Sequence, residues 1–485
     1  MNDQFKNEPL EKQPDLNKIY HTSPHSESAG LTYLMKLVLC TKNNIESLNI
    51  IKGILGNESS DINRQNTKGW TALMIACRNS NTNSNMETIK LLLEHSDIDI
   101  NKQNNEGWTA LMLACRYSNT DSNMETIKLL LEHSDIDINK QNNGGWTALM
   151  MACRYSNTES NIETIKLLLE NINTDINKQD NEGWTALMLA CRYSNTESNI
   201  ETVKLLLGHP DIDVNKQDNE GWTALMMACR NSNTESNIET VKLLLGHQDI
   251  DVNKQNNEGW TALMMACRNS NTYSSIETVK LLLEHPNIDV NKQDNDGDTA
   301  LMITLKNHFQ ELGKKIMDIF MNTNKINFYL KNLKGQLIMD LIPVNSEFIE
   351  IIYNNRIWIS NSIIKKIIAK DDINTELLIP QIFNPLNFDR EIIIEILKKY
   401  KNWNKIIYYC NLHTNIKKEV LNKIQIQKEK LYYRPDNIIA LCLEVNYKLK
   451  FKNPTEVFNS LNDKLKYIFD IKNEEDMINK IAFYL

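Results

Sequence analysis

The sequence predicts an all-α protein built as a solenoid, and three observations support this prediction. The motif Gly-Trp-Thr-Ala-Leu-Met recurs at a constant interval of 38 residues. Each interval holds two segments with apolar residues at helical spacing, separated by polar turns. A unit of this size cannot bury its apolar face alone, so neighbouring units must stack. The tryptophans of the motif are Trp70, Trp108, Trp146, Trp184, Trp222 and Trp260.

The unit that begins at Gly183 shows the pattern of the first helix. Thr185 is a favourable N-cap residue, and residues 186–193 place apolar side chains on one helical face. The polar run Ser194-Asn195-Thr196 predicts the end of this helix.

A second helix and a finger complete the unit. The segment Ser198-Asn199-Ile200-Glu201 has the capping-box pattern, in which Ser198 and Glu201 satisfy free amides at the helix start. Residues 200–207 then place apolar side chains at helical spacing. The polar loop from Asp211 to Gly221 is predicted to be a hairpin-like finger that leads into the next unit.

These residues resemble the ankyrin repeat. The shared positions are the Gly and Thr that open the first helix, a Leu and an Ala within it, the Val-x-Leu-Leu-Leu second helix and the Asp-Val-Asn that follows. The resemblance covers roughly residues 30–350 and implies helix–turn–helix units joined by fingers. In one unit the matching residues are Gly183, Thr185, Leu187, Ala190, Val203, Leu205, Leu206, Leu207, Asp213, Val214 and Asn215.

The sequence departs from the family pattern at three places. Ala186 stands where the family has proline, and Met188 stands where it has histidine, so we expect the hydrogen bond of that histidine to be absent. Each unit is also longer than the family's usual length of about 33 residues. Most of the excess lies in the Ser-Asn-Thr-x-Ser turn between the helices, where insertion costs little loop-closure entropy.

The repeats predict three regions in the chain. Residues 1–29 are polar and are predicted to be a disordered tail. Residues 30–353 are predicted to form the solenoid, and residues 354–485 a helical C-terminal domain. The predicted repeats start near Gly30, Gly69, Gly107, Gly145, Gly183, Gly221, Gly259 and Gly297, with a fading repeat at Gly335.

Composition and charge limit the classes of function. The 62 acidic residues outnumber the 54 basic ones, and this net charge of −8 argues against nucleic acid as the main partner. No run of 18 apolar residues and no apolar leader occur, so neither a membrane partner nor a signal peptide is predicted. We therefore expect a cytoplasmic, intracellular monomer that uses no cofactor and no metal.

Six cysteines recur at one position of the repeat. A metal or redox ladder would be the alternative interpretation, but no second ligand type recurs at metal spacing. Each cysteine follows alanine inside an apolar run, which favours a buried small residue. The six are Cys77, Cys115, Cys153, Cys191, Cys229 and Cys267.

The ankyrin resemblance implies a binding surface. In that family the concave face, made by fingers and first helices, contacts a partner protein through the residues that flank the glycine and end the first helix. Helices packed about 8–10 Å apart would give a tryptophan stripe about 50 Å long, and Trp, Tyr and Arg are common hot-spot residues. The candidate residues are Trp70, Trp108, Trp146, Trp184, Trp222, Trp260, Arg116, Arg154, Arg192, Tyr117, Tyr155, Tyr193, Glu106, Glu182 and Glu220.

An internal ladder is the alternative role for the same tryptophans. Arginines recur in step with them and could stack on the indoles as cation–π pairs. Glutamates before the glycine could pair with those arginines, and the sequence leaves both roles open. The arginines are Arg78, Arg116, Arg154, Arg192, Arg230 and Arg268, and the glutamates are Glu106, Glu182, Glu220 and Glu258.

The sequence motifs give little support for a calcium site, a nucleic-acid site or a catalytic site. The loop from Asp211 to Asn215 begins like an EF-hand, but Lys216 and Trp222 occupy the positions that need glycine and glutamate. The basic run at residues 428–434 is more typical of a solvated helix face than of a nucleic-acid site. No nucleotide-binding or catalytic motif occurs. Histidines near the ends of second helices, where a positive imidazole would favour the helix dipole, are His95, His133, His209, His247 and His285.

The sequence predicts a non-catalytic scaffold for protein–protein interaction. The near-identical copies, rich in Asn, Ile and Lys, also resemble the expanded ankyrin families of amoeba-infecting giant DNA viruses (mimivirus-like), which implies binding of host factors in the host-cell cytoplasm. A ubiquitin-ligase adaptor, with residues 453–458 as a faint likeness of the ligase box, is an alternative. A structural spacer stays open, and so does an enzyme with its active site in the C-terminal region, although Asp371, Asp372, His413 and Cys442 show no recognisable arrangement there.

Overall fold

The computed structural model describes residues 31–56, 61–270, 272–307, 311–323 and 325–341. Among these residues the regular elements are helices, and the only β-type pairings are isolated bridges. The chain forms two compact units, Met1–Thr304 and Leu305–Leu485. No described helix combines the length and apolarity needed to cross a bilayer. The predicted tail at 1–29 and the predicted domain at 354–485 lie outside the described residues.

Among the described residues, each repeat from Gly30 to Gly297 contains one pair of helices. The first pair is α1 (Tyr33–Val38) and α2 (Ile45–Leu55), with a short 3-10 turn at Thr41–Asn43 between them. The prediction of an all-α repeat solenoid is confirmed. The remaining helices are α3 (Ala72–Arg78), α4 (Met86–Leu93), α5 (Ala110–Arg116), α6 (Met124–Glu132), α7 (Ala148–Arg154), α8 (Ile162–Glu170), α9 (Ala186–Arg192), α10 (Ile200–Leu207), α11 (Ala224–Arg230), α12 (Ile238–Leu245), α13 (Ala262–Asn269), α14 (Ile276–Glu284), α15 (Ala300–Asn307), α16 (Glu311–Met321) and α17 (Ile338–Leu341).

The first helix of each pair forms the core. In α9 every residue from Ala186 to Cys191 is at most 2 % exposed, because the first helices of successive repeats pack directly on one another. Thr185 caps the helix as predicted, since its hydroxyl accepts the Met188 N–H at 3.3 Å. Burying a side chain such as Leu187 contributes about 1.5–3 kcal/mol. Each repeat therefore supplies part of its neighbour's core.

The repeated cysteines and methionines lie inside this core. All six repeated cysteines are free thiols with no exposed surface, which confirms the prediction that they are buried. The sulfur of Met188 accepts the N–H of Thr185 at 3.4 Å. The methionine that replaces the family's histidine therefore still makes a weak hydrogen bond to the N-cap residue.

The second helix of each pair is amphipathic. In α10, Thr202, Val203 and Leu206 are buried, whereas Lys204 is exposed and forms an ion pair with Glu201 at 3.3 Å. As an exposed pair on one helix it contributes about 0.2–0.5 kcal/mol. The second helices of successive repeats also contact one another.

The predicted capping box at the start of this helix is wrong. The N-cap is Asn199, whose side-chain oxygen accepts the N–H of Thr202 at 2.9 Å. Ser198 is buried, and its hydroxyl lies 3.2 Å from the hydroxyl of Ser156 in the preceding repeat. The serine is therefore used between repeats, and the neighbouring asparagine caps the helix.

The lengthened turn between the helices joins one repeat to the next. Thr202 lies 2.7 Å from the Ser156 hydroxyl and donates its hydroxyl proton to it. The Asn157 backbone N–H donates to the Glu197 carbonyl at 2.9 Å. The extra residues of the 38-residue repeat therefore enlarge the contact between neighbouring repeats.

Removing one hydroxyl of this ladder is expected to destabilise the chain. The Ser118 oxygen accepts the Asn161 N–H at 2.8 Å and the Thr164 hydroxyl at 2.7 Å. Ser118→Ala leaves the Asn161 N–H without this acceptor and leaves the Thr164 hydroxyl with only the Met124 sulfur, 3.3 Å away. We therefore expect the free energy of unfolding to fall by about 1–3 kcal/mol. Urea titration of the full chain, followed by circular dichroism, measures this. The exposed Thr120→Ala serves as control and should change it by less than about 0.5 kcal/mol; equal effects would contradict the prediction.

Side-chain amides hold each finger against the next one. The Asn177 amide donates to the Asp211 carbonyl at 2.6 Å, and its oxygen accepts the Asp213 N–H at 2.8 Å. Gln179 donates to the Gln217 carbonyl at 2.9 Å. The same bonds recur along the array because the same residues recur, so each finger has a defined position relative to its neighbours.

Candidate partner-binding surface

A carboxylate or amide side chain fixes the loop before each repeated tryptophan. Asp180 accepts the backbone N–H of Glu182 at 3.0 Å and of Trp184 at 2.7 Å. Burial raises the pKa of the Asp180 carboxyl above its ordinary value, while these hydrogen bonds act in the opposite direction. These two hydrogen bonds therefore hold the Trp184 backbone in place between the finger and the first helix.

The six tryptophans are half-buried, and five of them carry an arginine of their own repeat. The guanidinium carbon lies between 5.1 and 5.7 Å from the indole centroid, within the range of a cation–π contact. This geometry is that of the internal ladder. Whether the indoles also contact a partner stays a prediction. The pairs are Trp70–Arg78, Trp108–Arg116, Trp184–Arg192, Trp222–Arg230 and Trp260–Arg268.

Arginines and tyrosines of the first-helix ends alternate in a row that we call the Arg–Tyr column. Successive distances from guanidinium carbon to phenol centroid along it are 4.8, 5.4, 4.0, 5.4, 3.3 and 5.3 Å. Each guanidinium between two rings contacts both of them, so the column runs without a break through four repeats. Its members, in order, are Arg78, Tyr117, Arg116, Tyr155, Arg154, Tyr193 and Arg192.

Three arginines of the column pair with glutamates of the turn in the following repeat. Arg116 lies 2.9 Å from Glu159, Arg192 lies 3.3 Å from Glu235, and Arg154 pairs with Glu197. In the described repeats these are the partners found, and not the predicted Glu106, Glu182, Glu220 and Glu258. The reason is tertiary: backbone hydrogen bonds bring the lengthened turn of one repeat to the first-helix end of the previous repeat.

Several groups on this surface are available to a partner. Glu106, Glu182 and Glu220 are exposed. Within the described residues, the hydroxyls of the three column tyrosines and the N–H groups of the six indoles show no hydrogen bond to the protein. The six close repeats, residues 69–296, hold 32 acidic and 18 basic residues, a net charge of −14. The surface therefore combines aromatic side chains with an acidic background.

The side chains of the finger histidines and aspartates accept hydrogen bonds from backbone N–H groups of their own loops. The Asp213 carboxylate accepts the Asn215 N–H at 3.0 Å, and the His209 Nδ1 accepts the Asp211 N–H at 3.2 Å. In this arrangement the imidazole caps the turn, and its role as a positive charge at the helix end stays a prediction.

One group of carboxylates was missed by sequence reasoning. Oxygens of Asp294, Asp296 and Asp298 lie within 4.8 Å of one another, where Asp298 replaces the tryptophan of the close repeats. Asp294 accepts the N–H of Asp296 at 3.0 Å and of Asp298 at 2.8 Å. It therefore fixes its own loop as Asp180 does. Burial raises the pKa of the Asp294 carboxyl.

The paired helices, repeated fingers and inter-repeat hydrogen bonds define a helical repeat protein. A family model described as "Ankyrin repeats (3 copies)" matches residues 37–142, 82–180, 119–218, 156–256, 195–294 and 233–332. Together these matches span more than half of the 485 residues. The chain belongs to the ankyrin-repeat family.

One of the solved structures that match this chain is an ankyrin repeat domain. The ankyrin repeat domain of Bcl-3, described as a unique member of the IkappaB protein family, matches at a TM-score of 0.41 and 23% sequence identity. The match covers 51% of this chain and 99% of that one. A search of curated proteins found no match.

Proposed function

We propose that the chain is a non-catalytic scaffold that binds a partner protein. The contact surface is formed by the Arg–Tyr column, the tryptophans beside it and the exposed finger glutamates. The column supports this proposal most strongly, because tyrosine and arginine are enriched at binding hot spots. Its side chains are already held by stacking, so they lose little conformational entropy when a partner binds.

The available polar groups favour binding over a purely structural spacer. If the chain were only a structural spacer, neighbouring side chains should cover the stacked tryptophans, arginines and tyrosines. Here Glu106, Glu182 and Glu220 are exposed, and the tyrosines of the column are half-buried with hydroxyls available to a partner. We take this surface as the counterpart of the family's concave face, and it is made of the candidate residues proposed from the sequence together with Arg78.

Finer assignments remain predictions. The ubiquitin-ligase adaptor role and the C-terminal enzyme depend on residues 354–485, which lie outside the described part of the chain, as does the basic run at 428–434. The resemblance to giant-virus families and the host-cell cytoplasmic location depend on composition alone. The monomeric state also stays a prediction.

Substitution of the column tyrosines is expected to reduce partner binding while the fold is retained. Asn79 and Asn231 occupy the equivalent position in other repeats, so Tyr155→Asn introduces a residue that the repeat accepts. Loss of one hot-spot side chain costs about 2 kcal/mol or more of binding free energy, which is a roughly 30-fold rise in Kd. The partner is first captured from the native cell by the full chain and identified, and its Kd is then measured by calorimetry.

The control for this experiment lies in the same repeat on the other helix. The Lys166 side chain on α8 is 43 % exposed, and its ion pair among the described residues is with Glu163 of the same helix. Lys166→Ala should therefore leave the Kd within about twofold. Circular dichroism checks the helicity of both variants. A partner that binds the triple variant Tyr117→Asn, Tyr155→Asn, Tyr193→Asn as tightly as the natural chain would refute the proposed surface.

A further inference from the structure

Trp146 differs from the other five tryptophans of the array. In its repeat, Arg154 lies with its guanidinium carbon 3.3 Å from the ring centroid of Tyr193. Within the described residues, no guanidinium lies at cation–π distance from the Trp146 indole. The half-buried Trp146 indole is therefore the one in the six close repeats without a cationic partner.

The residue that flanks the indole is also missing a side chain in this repeat. Gly144 stands where the close repeats otherwise have Lys or Glu, as in Glu106 and Glu182. A Cβ atom added at Gly144 would lie 3.5 Å from the Trp146 Cδ1 atom and 4.0 Å from its Nε1 atom. A longer side chain at this position would begin against the indole edge. Gly144 therefore leaves that edge open.

The charges around the open indole favour a cation. Glu106 and Glu182 are exposed and occupy the same repeat position one unit before and one unit after Gly144. Units packed about 10 Å apart place both carboxylates within about one Debye length of the indole at physiological salt. The net charge of −14 on residues 69–296 acts in the same direction.

We propose that Trp146, Gly144 and the two flanking glutamates form a site, the Trp146 site, that binds an arginine or lysine side chain of the partner protein. The other repeats show what an indole at this position accepts, because each of the other five carries a guanidinium at 5.1–5.7 Å. At Trp146 the partner supplies the missing cation. This inference rests on the proposed function, and it names the chemistry of the partner at one position.

The test places a lysine beside the indole, so that a positive charge of the chain itself opposes the cation of the partner. The Gly144 backbone has no positive φ, and Lys68 occupies the equivalent position before Trp70, so Gly144→Lys should fold normally. The probe is a phage-displayed random peptide library, selected on the full chain and followed by synthetic peptides of the selected sequences. Peptides that lose binding to the Tyr117→Asn, Tyr155→Asn, Tyr193→Asn variant are retained for analysis.

We expect these peptides to contain an arginine or lysine whose replacement by citrulline or norleucine weakens binding about 10-fold. Gly144→Lys and Trp146→Leu should weaken binding of the basic peptide by a similar factor and should not weaken the neutral peptide further. Gly144→Ala, which adds only one methyl group at ordinary contact distance, should change binding less than about threefold.

The outcomes separate the two proposals. Peptides that depend on the column tyrosines but bind Gly144→Lys unchanged, or that contain no required basic residue, would overturn the Trp146 site and leave the proposed function standing. Selected peptides that ignore both the tyrosine substitutions and Gly144→Lys would overturn both.

Discussion

Replacement of Gly183 by alanine is expected to lower the free energy of unfolding by about 3 kcal/mol or more. Gly183 has φ of +84°, in the left-handed region, where a Cβ atom costs about 1–2 kcal/mol. The added Cβ would also lie 2.6 Å from the backbone nitrogen of Asn219 and 2.8 Å from the Asp218 Cα atom. Both atoms belong to the finger that leads into the next repeat, so the two repeats must separate, at a further cost of about 1–3 kcal/mol.

Gly183→Ala weakens the contact between two repeats, so it should change the form of the urea unfolding curve. The stability of a repeat array is approximately a sum of repeat terms and nearest-neighbour terms. Weakening one interface in the middle of the array should broaden the urea transition or divide it into two steps. Circular dichroism of the full chain measures the free energy and the number of transitions, and hydrogen exchange locates the weakened repeats.

Gly208 provides a matched control within the same repeat. It ends α10 in a right-handed helical conformation with φ of −79°, and Glu94 occupies the equivalent cap with φ of −74°. Gly208→Glu should therefore leave the free energy of unfolding unchanged or raise it by about 0.5 kcal/mol. If Gly183→Ala proved no more destabilising than Gly208→Glu, the role assigned to the close approach between repeats would be wrong.

The fold could be predicted because the pattern that specifies it is local. The 38-residue period, the Thr185 cap and the apolar spacing of the second helix all act within one repeat. The first helix ends one residue earlier than expected, since Tyr193 is its C-cap. Stacking then follows from the need of each repeat to bury its apolar face, so the array needs no long-range information.

Side-chain partners between repeats could not be predicted in the same way. Ser198 has a sequence context suited to capping, but its hydroxyl faces Ser156 of the previous repeat. Arg154 could have paired with either of two glutamate series, and only the position of the lengthened turn selects Glu197. The change from Asn to Tyr at the first-helix ends of three consecutive repeats was visible in the sequence. It was the one available signal of the Arg–Tyr column.

The buried cysteines lead to a prediction with a larger expected effect, a loss of stability in alkali. Burial in the core raises the pKa of the Cys267 thiol to about 12, from an ordinary value of 9.0. It raises the pKa of the Cys191 thiol further, in the absence of any opposing interaction. In the folded chain these thiols keep their protons at pH values where the unfolded chain has already lost them. The folded state then binds more protons than the unfolded state.

This difference in bound protons fixes the sign of the effect. Stability contributed by the neutral buried thiols is complete below the unfolded pKa and declines as the pH rises from about 9 towards the folded pKa. Each thiol that ionises only on unfolding removes about 1.4 kcal/mol per pH unit over that window. If all six repeated thiols are exposed in one transition, the slope approaches about 8 kcal/mol per pH unit.

The measurement is a set of urea titrations of the full chain between pH 7.5 and about pH 10, followed by circular dichroism. Cys191→Ala should reduce the slope of unfolding free energy against pH by about 1.4 kcal/mol per pH unit. The control is Val203→Ala, which removes buried apolar volume without removing a titrating group. It should lower the free energy by a similar amount at every pH and leave the slope unchanged. A slope in Cys191→Ala equal to that of the natural chain would show that the thiols do not cause the alkaline loss, because a core thiol absent from the chain cannot release a proton on unfolding.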